Sequence, residues 1–147
     1  MDRLVIVAVV VAVAVVVALM AQRRRPAPPA NPESFEAPAQ LDRGDFPRPD
    51  APWLVVVFTS ATCDACAGVW QRAELLASDE VAVVEAEVVA DAELHRRYHI
   101  DAVPTAVIAD RHGVVQRSFI GPVTSTHLWG ALAGLREPGS VPESCAA

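Results

Sequence analysis

The strongest constraint on the fold lies at one junction in the middle of the chain. There a continuous apolar, largely β-branched run, Trp53-Leu54-Val55-Val56-Val57-Phe58, is followed, after four intervening residues, by Cys63-Asp64-Ala65-Cys66. A run of this kind fits a central strand covered on both faces. Beyond the cysteines, Ala65, Val69, Ala73 and Leu76 recur at helical spacing over 64–77, with Trp70 beside the stripe. The pair therefore sits where a buried strand hands over to a helix. A dithiol at that place can close into a disulfide and reopen, and the first-turn N–H groups favour its thiolate.

The pattern downstream keeps alternating. Val81 to Val88 reads as a second strand, and Ala90 to Tyr98 as a short helix with Asp91 as its cap. Thr105 to Ala109, the turn Asp110-Arg111-His112-Gly113 and Val114 to Phe119 form a strand–turn–strand unit. An amphipathic helix from Thr124 to Arg136 closes the series, capped by Thr124 or Ser125. The order β-α-β-α-β-β-α joins a parallel unit to an antiparallel hairpin, so the expected class is α/β with a central mixed sheet flanked by helices. The domain is expected over 51–137, enough for one core.

Outside it, residues 4–21 carry no charge, Pro or Gly. As a helix they span about 27 Å, close to the roughly 30 Å bilayer interior. The basic n-region is minimal and Arg23-Arg24-Arg25 follows in place of a processing site, which favours one uncleaved transmembrane helix over a signal peptide. Those arginines outweigh Arg3 on the other side and place the soluble domain in the cytoplasm of a single-pass membrane protein, with the extracytoplasmic side as the alternative. Residues 22–50 hold 7 of the 12 prolines and read as a semi-rigid spacer, within which 41–46 is a candidate short strand or cover that begins the domain. Residues 138–147 read as a flexible tail. From residue 26 onward 8 Arg face 17 Asp and Glu, with no Lys anywhere, and such a balance excludes a nucleic-acid binder.

Three cysteines make no disulfide scaffold, and Cys145 stands apart in the tail as an expected inert thiol. Zinc at Cys63 and Cys66 would need further Cys or His ligands at matching spacing, and no His lies within ten residues of the pair. His95 and His99 are four apart and are expected to face solvent. Redox use gains from a second element, Asp101-Ala102-Val103-Pro104-Thr105. An apolar strand, CxxC opening a helix, a βα unit, then Val-Pro-Thr before a hairpin and a last helix resemble the thioredoxin family over about 51–137.

The resemblance implies a thioredoxin-like fold and a protein-disulfide oxidoreductase activity. It implies a cis bond before Pro104, with the backbone of Val103 pairing with an extended substrate segment and Thr105 following in the same loop. Gly121 would let substrate backbone approach the dithiol. By position, Cys63 is the exposed nucleophile and Cys66, one turn in, resolves the mixed disulfide. No metal and no cofactor beyond the Cys63–Cys66 pair is expected. The implied partners are proteins with thiols or disulfides and an electron donor that the sequence does not name, with the membrane reached through the N-terminal helix.

The chain also departs from the family. Thr62 stands where thioredoxins carry Trp, and Asp64-Ala65 replace Gly-Pro. Val57 occupies the place of the buried acid that assists proton transfer to the resolving cysteine, and Lys, that acid's usual basic neighbour, is absent from the chain. Asp64 beside Cys63 disfavours its thiolate, which points to a reductant rather than a strong oxidant. Asp64 is also a candidate helix cap. The alternative reading is a thioredoxin-fold interaction or redox-sensing module with little turnover.

Overall fold

The computed structural model describes residues 35–138. The expected membrane span 4–21, residues 22–34 of the spacer and nearly all of the tail, Cys145 included, lie outside the described residues. Among those described, no helix is long and apolar enough to cross a membrane.

Four strands, β1 (Trp53–Thr59), β2 (Val81–Glu87), β3 (Thr105–Asp110) and β4 (Val115–Ile120), form one mixed sheet in the order β2-β1-β3-β4. β1 runs parallel to β2 and antiparallel to β3, and β3 runs antiparallel to β4. Six of the seven β1 residues are buried, as its unbroken apolar run requires. The helices are α1 (Cys66–Glu74), α2 (Ala92–Arg97) and α3 (Ser125–Arg136). Thr124 caps α3 by accepting a hydrogen bond from the His127 N–H.

Alternation along the strands divides the core into two layers. Val55 and Val57 of β1 pack with Val69 and Ala73 of α1 and Leu128 and Leu132 of α3 on one face. Leu54, Val56 and Phe58 pack on the other face with Tyr98, Leu41 and Phe46. Each large apolar side chain taken fully out of water contributes roughly 1.5–3 kcal/mol.

Leu41 and Phe46, in the candidate cover segment 41–46, carry the core across the expected boundary at residue 51. Gln40 forms an isolated antiparallel bridge with Val114. Arg43–Asp45 then make a short 3-10 turn that covers the second core layer. Arg43 is itself buried, and its guanidinium donates to the carbonyls of Asp110, Arg48 and Ala51. Desolvation lowers its pKa from the ordinary arginine value, against the pull of Asp110 and Asp50. The prolines of this stretch suit a spacer, but composition averaged over 22–50 hides three side chains that bury, Leu41, Arg43 and Phe46.

Two further expectations change. His95 is buried: its Nε2 lies 2.9 Å from the Ala86 carbonyl and its ring meets Phe58 edge-on. His99 is exposed, in the left-handed region just past α2 with φ 51°. Asp91 holds the N-cap position of α2 without capping it, and its carboxylate accepts instead from the Glu87 N–H at the end of β2.

Candidate active site

β1 and β2 end, and β3 begins, at one end of the sheet, and β4 returns to it. Cys63 lies in the loop leaving β1, half-buried, while Cys66 is the first residue of α1 and 2% exposed. The two are joined in a disulfide with Cα atoms 5.4 Å apart, inside the range a relaxed disulfide spans. The structure is thus the oxidised form of the pair. Ala65 occupies the N-cap of α1 with no side chain satisfying the helix start; the Cys66 N–H donates to the Cys63 carbonyl, and those of Ala67 and Gly68 remain for the thiolate of the reduced form. Asp64 is exposed, and the capping role open to it is not taken up.

Across from the dithiol loop, the Val103–Pro104 peptide is cis. Pro104 is buried, and Thr105 beside it pairs with Phe58 of β1 on one side and Ile120 of β4 on the other. The Thr105 hydroxyl donates to the Ala102 carbonyl, which holds the loop. Gly121 donates its N–H to the Pro104 carbonyl at 2.7 Å and takes φ 93°, with open space where a Cβ would stand. Val103 is half-buried, and among the described residues its backbone finds no partner. Val103, Pro104, Thr105 and Gly121 therefore gather at the sheet end that carries Cys63 and Cys66.

The fold is thioredoxin-like. The chain is similar to the germline-specific thioredoxin Deadhead from Drosophila melanogaster, at 26% identity over 59% of this chain and 84% of that one, with a TM-score of 0.52. It is similar to a thioredoxin from Fasciola hepatica at 25% identity, over 58% and 82% of the two chains, with a TM-score of 0.50. Thioredoxin O2 from Arabidopsis thaliana, in its oxidised state, shares the fold at 20% identity over 58% and 76%, again with a TM-score of 0.50. No family model and no curated protein matches the chain.

Against that thioredoxin-like frame, Val57 is fully buried among apolar side chains. The carboxylates that line the dithiol cleft come from β2. A cleft of about 260 Å³ is lined by Thr59, Ser60, Cys63, Cys66, Glu85 and Glu87, among others. Glu87 accepts from the N–H groups of Ala90, Val89 and Ala61, bonds that hold its carboxyl below the ordinary carboxylate range. It thereby ties the dithiol loop to the end of β2. Glu85 accepts from the buried Thr59 hydroxyl at 2.9 Å. Period-two spacing was the available signal: Val81, Val83, Glu85 and Glu87 share a face, so the glutamates follow the valines toward α1. Larger clefts of about 450 and 360 Å³ lie along the cover segment and hold no cysteine, so size alone would mislocate the chemistry.

Proposed function

We propose that this chain is a membrane-tethered thiol–disulfide oxidoreductase that reduces disulfides in proteins. The observation that carries the reading is the Cys63–Cys66 disulfide, with one sulfur partly open and the other buried at an uncapped helix start. In the reduced chain the Cys63 thiolate attacks a substrate disulfide, forms a mixed disulfide and releases one substrate thiolate, which takes up a proton. Cys66 then attacks the Cys63 sulfur, the second substrate thiol departs, and the pair is left oxidised. Two electrons pass from the dithiol to the substrate, and an electron donor restores the thiols.

The unpaired Val103 backbone supports docking of an extended substrate segment beside cis Pro104. The open side of Gly121 supports close approach of that segment. Residues 4–21 supply the tether and Arg23–Arg25 the cytoplasmic orientation, where the pair would be kept reduced. A docking or sensing module with little turnover is the competing reading, favoured by apolar Val57.

Insulin reduction separates the two. The wild type should turn over with a thiol donor and Cys63→Ser should not, while Cys66→Ser should accumulate mixed disulfides with its partners. A wild type without thiol-dependent turnover would sink the oxidoreductase reading. A membrane-impermeant thiol reagent applied to intact cells should leave Cys145 unlabelled, and ready labelling would place the domain outside.

A further inference from the structure

The resolving step needs a proton acceptor, because a thiol at its ordinary pKa of about 8.5 is largely protonated near neutrality. β1 supplies none, since Val57 faces α1 from the middle of an apolar cluster. The next strand carries one in register. Val57 pairs with Glu85 across the parallel β1–β2 ladder, so the two Cβ atoms leave the sheet side by side, about 4.8 Å apart. Glu85 thus comes off the sheet on the α1 face, at the open end of the row Val81, Val83, Glu85, and shares its cleft with Cys66.

The titratable groups lining that cleft are Cys63, Cys66, Glu85 and Glu87. Glu87 is committed, since its Oε1 accepts from the Ala61 N–H and its Oε2 from those of Val89 and Ala90. Glu85 is oriented but not used up. Its Oε1 accepts from the Thr59 hydroxyl, and among the described residues its Oε2 has no partner. Thr59 is 2% exposed, so this orienting hydroxyl is itself held fast.

We propose that Glu85, projecting from β2, is the proton acceptor for Cys66 in this chain, and that Thr59 positions it. The proposal rests on the dithiol reading above. In the mixed disulfide the Cys66 thiol gives its proton to the Glu85 carboxylate, directly or through one water in the cleft. The Cys66 sulfur bonds to the Cys63 sulfur, the bond from Cys63 to the substrate breaks, and the departing thiolate takes up a proton.

The step is isolated by reacting the reduced chain, in a Cys145→Ser background, with one equivalent of the aromatic disulfide DTNB. Attack by Cys63 releases the first thionitrobenzoate, and closure by Cys66 releases the second. Glu85→Gln keeps the shape and a carbonyl for Thr59, so circular dichroism should match the wild type. Its second phase should slow roughly 10- to 100-fold near pH 7, with the first phase within about twofold. The deficit should close above about pH 9, where solution deprotonates the thiol, and Glu85→Asp should recover part of the rate. An unchanged second phase at pH 7, or equal slowing of both phases at every pH, would overturn the role. These phases need no protein substrate. A chain that closes its disulfide in two phases yet leaves insulin oxidised defeats the functional reading and not the assignment of Glu85.

Discussion

The two ends of the sheet are built on opposite terms, and two glycines show the contrast most directly. Gly113 lies in the turn between β3 and β4, at the end away from the cysteines, with φ 79°. A Cβ there would come within 2.0 Å of the Leu41 carbonyl oxygen. Gly121 has a similar φ at the dithiol end, where a Cβ would meet no atom within 4 Å. The closed end is also stitched by arginines. Arg43 ties Asp110, Arg48 and Ala51 together, and Arg48 ties Ser78, Asp79 and Val81. Those bonds consume backbone carbonyls where β1 and β2 begin and β3 ends. At the dithiol end, among the described residues, the Val103 backbone and the Ala67 and Gly68 N–H groups at the start of α1 are left unclaimed. One end pairs most of its polar groups internally, the buried Arg43 Nε excepted, and holds the fold together. The other leaves them open for a second molecule.

The largest expected effect tests the closed end. Gly113→Ala combines left-handed strain with a backbone collision and the loss of the Leu41 N–H bond to the Gly113 carbonyl. It should cost about 3 kcal/mol or more in denaturant unfolding. A cost under 1 kcal/mol would mean that the cover segment does not sit against the hairpin.

Tyr98 gives a mid-sized test of the same cover. Its hydroxyl donates to Asp45 and accepts from the Asp42 N–H. Tyr98→Phe should cost about 1–2 kcal/mol. Burial, reinforced by the Asp45 hydrogen bond, pushes its pKa up to about 12. A raised acid pKa favours the neutral form, so this contribution is whole below the ordinary tyrosine value near 10 and is lost as pH rises from there toward 12. Tyr98 is the only tyrosine in the chain, so tyrosinate absorbance reports it alone. Ionisation near pH 10 in the folded protein would show an undocked cover.

The smallest stability effect belongs to the open end. Gly121→Ala meets no neighbour and should cost only the backbone term, about 1 kcal/mol. If the free side of Gly121 is where substrate backbone passes, insulin reduction should fall by more than that stability loss explains. Activity that tracks stability alone would remove Gly121 from the substrate path.

Much of this was legible because it depends on local pattern. The run Trp53 to Phe58 became β1 with its burial as read, since a β-branched apolar run has few other places to go. The dithiol fell at the start of α1 because the helical stripe begins there. Other features were hidden because they depend on pairing between distant segments. His95, read as solvent-facing, is buried because the helix carrying it packs against Phe58 and Ala86. Arg43 reads as a surface charge until the carbonyls it meets are known to converge. Glu85 looked like an ordinary strand residue, since only the register of β1 against β2 sets it beside Val57 and the cysteines.

By itself the sequence determined the element order, the dithiol at a strand–helix junction and the loop carrying Pro104, because these follow from side-chain period and the chemistry of neighbouring residues. Only the tertiary structure decided which end of the sheet is closed, which carboxylates face the disulfide and whether 41–46 serves as strand or cover. Those outcomes turn on which unpaired backbone and side-chain groups meet across tens of residues, and no local period records such meetings.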